Sequence, residues 1–183
     1  MKENVGFPYT MLSDDMFQHA AGGYGGQGTL CGSLGACSSL INLVTFDGRN
    51  THNAMITDLI NWYASYSHPT DEFDAIVHFP KQKRVVPGSP LCHASVSTWT
   101  TANNTSINTY ERKDRCAKVA GKVAMQTVTM LNAYAAGKWA PVAPGVSEKT
   151  GSCLECHGPG GEHNEQGRME CGLCHTQDPD HAG

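Results

Sequence analysis

Two copies of a Cys-x-x-Cys-His motif lie near the carboxyl end of this 183-residue chain. In each copy, two thiols three positions apart can add across the two vinyl groups of one haem, and the histidine that follows can ligate the haem iron. The predicted thioether cysteines are Cys153, Cys156, Cys171 and Cys174, and the predicted proximal ligands are His157 and His175. The sequence therefore predicts two covalently bound haem c groups.

A zinc ribbon is the main alternative, because two Cys-x-x-Cys pairs are also the ligand spacing of such sites. Zinc does not require a histidine directly after each second cysteine, so the pattern favours haem. Two disulfides are disfavoured further, because each would close a strained short loop. Metal analysis that found zinc and no iron would indicate an interaction module instead.

The segment that carries the motifs has almost no apolar side chains of its own. Apart from cysteine, the apolar residues between Cys153 and Gly183 are Leu154, Met169, Leu173 and Ala182. Such a segment cannot bury enough apolar surface to order itself. We therefore expect the haems to supply its interior. The short, glycine-containing connection between the motifs predicts that the two haems are near neighbours.

The sixth ligands of the irons must come from elsewhere in the chain. The candidates are His163, between the two motifs, and His93, which follows Cys92. The other histidines are His19, His52, His68, His78 and His181. This supply favours bis-histidine iron, which has no open position and transfers electrons. One open iron site would instead permit a haem-dependent small-molecule reductase, so whether the protein is an enzyme stays open.

Four further cysteines lie before the segment that carries the two motifs. They are Cys31, Cys37, Cys92 and Cys116. Cys31 follows a glycine run at a predicted helix start, where the helix dipole favours a thiolate. Cys37 fits a small buried apolar residue. For Cys31, Cys92 and Cys116 three readings stay open: buried apolar residues, a thiol/disulfide redox site, or an iron–sulfur cluster completed by a further ligand.

Apolar residues recur at helical spacing in three places, which predicts helices over about 29–45, 53–66 and 111–136. Thr29 is the expected cap of the first helix, Thr51 or Asn53 of the second, and Gly137 is the expected stop of the third. No strand-like alternation is present. The sequence predicts a mainly α fold with long irregular loops. Its expected parts are a helical domain over 1–136, a linker over 137–152 and a dihaem segment over 153–183.

Composition excludes several other classes of protein. The chain has 13 Lys and Arg against 17 Asp and Glu and no basic run, which argues against a nucleic-acid partner. No apolar stretch approaches the length of a membrane span. Because haem attachment of this kind is completed outside the bacterial cytoplasm, we expect a periplasmic or extracellular protein whose leader has been removed.

The segment from Gly22 to Ala36 resembles the glycine-rich Cys-Gly-Ala-x-x-Gly segment of the redox-active C_GCAxxG_C_C family. Ser33 and Ala36 stand where that pattern has Ala and Gly, and a more N-terminal family cysteine is missing. The stretches Leu91–Trp99 and Arg115–Cys116 resemble the regions of the later family cysteines.

Joined to two haem motifs, the chain is similar over most of residues 20–183 to the split-Soret cytochrome c family. The resemblance implies a helical dihaem homodimer with its haems clustered at one end. It also implies histidines on both faces of each iron, one of which the partner subunit could supply. We predict an exported c-type cytochrome that carries electrons between redox partner proteins.

Overall fold

The computed structural model describes residues 2–142 and 146–175, and its architecture is mainly helical. Its five α-helices are α1 (Gly32–Thr45), α2 (Thr51–Ser65), α3 (Cys92–Ala102), α4 (Tyr110–Ala135) and α5 (Glu148–His157). Single turns of 3-10 helix lie at Tyr9–Met11, Asp74–Ile76 and Cys171–Leu173, and a longer one at Asp14–Ala20. Over these described ranges, strand pairing is limited to two isolated bridges. The predicted fold class is confirmed.

The three predicted helices are α1, α2 and α4, and their observed ends differ only slightly from the predicted ones. Thr29 does not cap α1, because its hydroxyl donates to the Gly23 carbonyl at 2.8 Å and Cys31 occupies the cap position. Asn50, rather than Thr51 or Asn53, precedes α2 in a left-handed conformation with φ of 66°. Gly137 follows α4 with φ of 65°, as expected for a helix stop.

Helix α3 was not predicted, because its sequence is rich in serine and threonine and shows no continuous apolar stripe. Tertiary contacts fix it instead. Trp99 is fully buried, and its indole Nε1 donates to the Lys83 carbonyl at 2.9 Å. A polar helix therefore forms here because one large side chain anchors it to the long connection that precedes it.

The core lies where α1, α2 and α4 pack against one another. Its buried residues are Leu34, Cys37, Ile41, Met55, Leu59, Tyr63, Val119, Val123 and Met130. These side chains come from three helices at helical spacing, as expected when each helix buries one face. We call residues 20–135, which contain this core and α3, the body.

Residues 66–91 form the long irregular connection between α2 and α3. Buried Lys118 of α4 binds this connection by donating to Asp74 Oδ1 at 2.5 Å and to the Phe79 carbonyl at 3.0 Å. His68, also fully buried, contacts the rings of Tyr63, Tyr66 and Trp62. Burial, and secondarily the nearby Arg115, lower the pKa of His68 to about 4.

The tail, residues 148–175, comprises α5, a turn and the short Cys171–Leu173 helix, which packs against α5. Helix α5 begins inside the segment 137–152 expected to be a linker, because the Ser147 hydroxyl accepts a hydrogen bond from the Thr150 N–H at 3.1 Å. None of the helices in the described ranges is both long and apolar enough to cross a membrane.

Candidate functional site

The amino-terminal ends of α1 and α3 are held side by side by backbone pairing. An antiparallel bridge joins Leu30 to Leu91, and the Cys31 N–H donates to the Pro90 carbonyl at 2.9 Å. In return, the Cys92 N–H donates to the Thr29 carbonyl at 2.7 Å. Because Cys31 precedes α1 and Cys92 opens α3, this pairing brings two thiols from distant parts of the sequence to one place.

The glycine run makes this approach possible. Gly23 has φ of 74°, and a Cβ at this position would lie 2.8 Å from the Cβ of Cys92. Gly28 has the same φ of 74°, and its carbonyl accepts a hydrogen bond from the His93 N–H at 2.9 Å. The run therefore serves tight turns and close backbone packing, as its sequence predicted.

Cys116 on α4 completes a group of three cysteines with Cys31 and Cys92, which we call the three-thiol site. All three are free and half-buried. Burial raises the pKa of the Cys92 thiol, and the proximity of Cys31 and Cys116 raises it further. The structure thus places Cys31 beside Cys92 through backbone pairing, and Cys116 near enough to act on Cys92 electrostatically.

The three thiols are not arranged around a single ion. Within residues 2–142 and 146–175, no group of three or more His, Cys, Asp and Glu side chains is close enough to hold a metal ion. A site that binds one ion through all three sulfurs is therefore disfavoured in this arrangement. A cluster or a thiol/disulfide couple needs only neighbouring sulfurs, so both alternatives remain open.

Arg115 lies beside this site and is almost fully buried, with 2% of its surface exposed. Its guanidinium donates to Ser95 Oγ at 2.7 Å and to the Ser95 carbonyl at 3.2 Å, and reaches the Cys116 sulfur at 3.9 Å. The Tyr63 hydroxyl donates to the same Ser95 Oγ at 2.8 Å. Burial raises the pKa of Tyr63, and the neighbouring Cys31 thiol raises it further.

Cys37 does not belong to the three-thiol site. It is buried in the helical core, and burial raises the pKa of its thiol against an opposing hydrogen bond from Thr127. It therefore serves as a small apolar residue, as the sequence suggested.

In the tail, α5 presents the first Cys-x-x-Cys-His motif. Cys153, Cys156 and His157 are three and four positions apart on this helix, so they share one face. The helix ends at His157, and Gly158 follows it. Because of this spacing, α5 directs both thiols and the imidazole of the first motif to the same side.

The second motif begins in the short helix that packs on α5. Burial raises the pKa of Cys171, and the adjacent Cys153 thiol raises it further, while the Thr150 hydroxyl opposes the shift. The side chain of Lys149 lies over the backbone of Gly172. A Cβ atom on Gly172 would be 2.6 Å from the Nζ of Lys149. One cysteine of each motif thus lies at a shared boundary, while Cys156 and Cys174 are exposed.

A tight turn folds back on the end of α5. The Glu162 N–H donates to the Cys156 carbonyl at 2.6 Å, and the Glu165 N–H donates to the His157 carbonyl at 3.0 Å. The turn brings Asn164 to the imidazole, so that His157 Nδ1 donates to Asn164 Oδ1 at 3.2 Å, and Asn164 Nδ2 donates to Glu162 Oε2 at 2.9 Å. This chain of contacts orients the His157 ring.

The two candidate distal histidines occupy different regions. His163 is exposed in the turn after α5, with φ of 58°. His93 is exposed at the start of α3, beside the glycine run. His175 directly follows the short helix of the second motif. His181, the last histidine of the chain, lies outside the described residues.

Sequence reasoning missed three residues that the structure places in contact with these sites: Arg115, Ser95 and Asn164. Arg115 could have been noticed as a charged residue directly before Cys116 in a predicted helix. Nothing in the sequence indicates that Ser95 or Asn164 reaches a neighbouring site, because both contacts depend on how the elements pack.

The sequence of the chain is similar to that of a curated protein. The chain is 28% identical over 181 residues to split-Soret cytochrome c of Desulfovibrio desulfuricans. The match covers 96% of this chain and 64% of the relative, so the chain spans slightly less than two-thirds of that protein's length.

A solved structure of the split-Soret cytochrome c from that organism superposes with a TM-score of 0.85 at 28% identity. The superposition covers 98% of this chain and 76% of that one, whose structure is described as holding a novel iron centre.

Residues 1–130 match the family described as "Putative redox-active protein (C_GCAxxG_C_C)". Gly35 is needed because a Cβ there would collide with the Tyr24 hydroxyl. By this match, which spans most of its length, the chain belongs to the C_GCAxxG_C_C family of redox-active proteins.

Proposed function

We propose that this protein is a c-type dihaem cytochrome that carries electrons between redox partners. The observation that carries the proposal is the pair of Cys-x-x-Cys-His motifs in the tail, one on α5 and one on the short helix packed against it. The likeness to split-Soret cytochrome c supports it.

The residues present in the tail fit the attachment of haem. All four motif cysteines are free, and each is exposed or half-buried, so their thiols can reach a vinyl group. Leu173 and Met169 keep about half of their surface exposed, at 54% and 50%. Apolar side chains left open in a segment without its own core are what a large planar apolar group would cover.

In this proposal, Cys153 and Cys156 bind one haem through thioethers, and Cys171 and Cys174 bind the other. Bound haem supplies a one-electron iron couple. The chain would hold each group covalently. Bis-histidine ligation would leave no iron position open, which suits electron transfer rather than substrate binding.

His157 and His175 are the proposed proximal ligands. A histidine whose Nδ1 donates to an oxygen acceptor normally binds metal through Nε2. The hydrogen bond from His157 Nδ1 to Asn164 therefore suits ligation through Nε2. His163 and His93 are the proposed distal ligands, and a partner subunit is a further possible source.

We also propose a second redox site at Cys31, Cys92 and Cys116. The backbone pairing that places Cys31 beside Cys92, and the contact between Arg115 and Cys116, support this proposal. The two chemical forms that stay open are a reversible disulfide and an iron–sulfur cluster. A homodimer with haems near its interface, and a periplasmic or extracellular location, complete the proposal.

Mass spectrometry of the exported protein tests the dihaem assignment. The intact chain should be heavier than the bare polypeptide by two haems, and the purified protein should show the visible spectrum of haem c. Changing Cys153 and Cys156 to Ala should remove one haem, and changing Cys171 and Cys174 to Ala should remove the other. The matched control is Cys37→Ala, which alters a core cysteine and should keep both.

A colourless protein, or one whose mass equals the polypeptide alone, contradicts the proposal. Haem loss in Cys37→Ala equal to that in the motif variants would also contradict it, because the loss would then reflect unfolding.

The spin state of the irons tests the distal ligands. His163→Ala and His93→Ala should each convert one iron from low to high spin if these residues are ligands, whereas exposed His78→Ala should change neither. Low-spin iron in both variants would show that the distal ligands lie elsewhere. Prompt carbon monoxide binding to one reduced haem of the unaltered protein would favour a small-molecule reductase.

A further inference from the structure

The body contains a buried positive charge that has no matching negative charge. Arg115 is 2% exposed, and no Asp or Glu among the described residues lies within ion-pair distance of its guanidinium. Its partners are neutral: the Ser95 hydroxyl, the Ser95 carbonyl and the Cys116 sulfur. Within the part of the chain that the structure describes, its Nε has no hydrogen-bond partner. An isolated buried cation costs several kcal/mol, in order of magnitude, unless an anion accompanies it.

The groups around Arg115 show where that anion could be. Ser95 lies one helical turn after Cys92 on α3, and Cys116 adjoins Arg115 on α4. The guanidinium is therefore held against the three-thiol site by two hydrogen bonds to Ser95, which itself accepts from Tyr63. His68, whose pKa the charge of Arg115 helps to lower to about 4, is neutral at pH 7 and supplies no negative charge.

Two helix ends add to the positive potential at the same place. Cys31 is the cap residue of the 14-residue α1, and Cys92 is the first residue of the 11-residue α3. Neither helix has a side-chain cap that supplies an acceptor oxygen. The positive ends of both helix dipoles therefore point toward the sulfurs. Arg115 and the two helix ends together form a site suited to extra negative charge.

We propose that Arg115 is the counter-charge of the three-thiol site and stabilises the reduced state of that site. The inference rests on the redox role proposed above for Cys31, Cys92 and Cys116. Its sign is the same for both chemical forms of the site. A cluster gains one electron, and therefore one negative charge, on reduction. A disulfide gains two electrons and two protons to give two thiols, and in this reduced form the Arg115 guanidinium donates to the Cys116 sulfur at 3.9 Å. Arg115 is thus a positioning and tuning residue.

The test is the midpoint potential of the three-thiol site in Arg115→Met, Arg115→Lys and the unaltered protein. An iron centre is titrated with dithionite and mediators and followed by its EPR signal. A disulfide is equilibrated in glutathione buffers, where two glutathione thiols become one glutathione disulfide. Each point is quenched with iodoacetamide, and alkylation of the three cysteines is counted by mass spectrometry.

Arg115→Met should lower the ratio of reduced to oxidised site at least tenfold at a fixed ambient potential. A tenfold change corresponds to about 59 mV for a one-electron couple and about 30 mV for a two-electron couple. Arg115→Lys, which keeps the charge, should stay within about threefold of the unaltered protein. The matched control is Lys113→Met, which removes an exposed charge from the same helix and should leave the ratio unchanged.

If Arg115→Met fails to fold, Ser95→Ala replaces it, because this variant removes the oxygen that holds the guanidinium at 2.7 Å. It should shift the ratio in the same direction by a smaller factor. An unchanged potential in a folded variant overturns the proposal, as does a three-thiol site with no redox change at all. Haem absorbance in the same samples reports on the tail independently, so loss of the dihaem assignment would not affect this result.

Discussion

The body and the tail both carry cysteines, but the surroundings of these cysteines differ. In the body, backbone pairing and a glycine run enclose Cys31 and Cys92, and the core surrounds Cys37. In the tail, Cys156 and Cys174 are exposed on a helix and a turn that bury little apolar surface. The body can therefore tune its thiols through fixed neighbours. The tail depends on what its thiols bind for its own order.

This contrast explains why charge is handled differently in the two regions. A buried cation such as Arg115 acts strongly on the three-thiol site because little water screens it. The exposed Lys149, which lies over Gly172 in the tail, is screened by solvent and acts mainly through packing. If the two regions are independent, the body keeps its stability when the tail is altered, and the tail keeps its haems when the body is weakened.

Replacing all four cysteines of the two Cys-x-x-Cys-His motifs should have the largest effect. When Cys153, Cys156, Cys171 and Cys174 are changed to Ala together, the tail should lose its haems and become rapidly cleaved, while residues 20–135 stay resistant. Limited proteolysis followed by mass spectrometry measures this. If the tail resists the protease equally with and without haem, it folds by itself, and the contrast between the body and the tail is wrong.

A cavity in the body should have a large effect that does not reach the tail. Leu59 is fully buried between the core helices, so Leu59→Ala should lower the free energy of unfolding by about 2–5 kcal/mol. Urea unfolding followed by circular dichroism gives this value. Leu173→Ala, at an exposed tail position, should cost less than about 0.5 kcal/mol. A loss of haem in Leu59→Ala would show that the two regions are coupled.

Acid should weaken the body through His68. Its pKa is about 4 in the folded chain, against about 6.5 in an unfolded one, so the unfolded state binds the proton more readily. Above about pH 6.5, His68 is neutral in both states and the free energy of unfolding is not reduced by its protonation. As the pH falls toward 4, protonation of His68 in the unfolded state lowers the free energy of unfolding by about 3 kcal/mol. Urea unfolding at pH 7 and pH 4.5 measures this.

The His68→Gln variant should show a flatter pH dependence of unfolding than the unaltered protein. The control His78→Gln changes an exposed histidine of the same connection and should keep the original dependence. The same slope in both variants would show that acid acts through other groups.

The two helix caps should give the smallest effects. The Thr109 hydroxyl accepts a hydrogen bond from the Arg112 N–H at 3.2 Å at the start of α4, so Thr109→Ala should cost the body about 1 kcal/mol. Ser147 caps α5 in the same way, yet Ser147→Ala should change unfolding of the body by less than about 0.5 kcal/mol. Thermal unfolding at 222 nm compares them, and equal costs would mean that α5 belongs to the same folding unit.

The amphipathic helices were predictable because their apolar residues repeat along the sequence itself. The stripes of α1, α2 and α4 gave helices whose ends differ from the observed ones by a few residues. Their caps were harder to predict, since Thr29 had a better partner in Gly23 than in its own helix. Helix α3 escaped prediction because Trp99 forms its stabilising contact with Lys83, far from any local pattern.

The sequence by itself determined the Cys-x-x-Cys-His motifs and the poverty of apolar residues around them, since spacing and composition are local properties. Only the tertiary structure decided that Cys31 lies beside Cys92, that buried Arg115 contacts Cys116, and that Asn164 orients His157. Those contacts join elements distant in sequence or turns whose course depends on packing. The charge and geometry of the site therefore exist only once the helices have assembled.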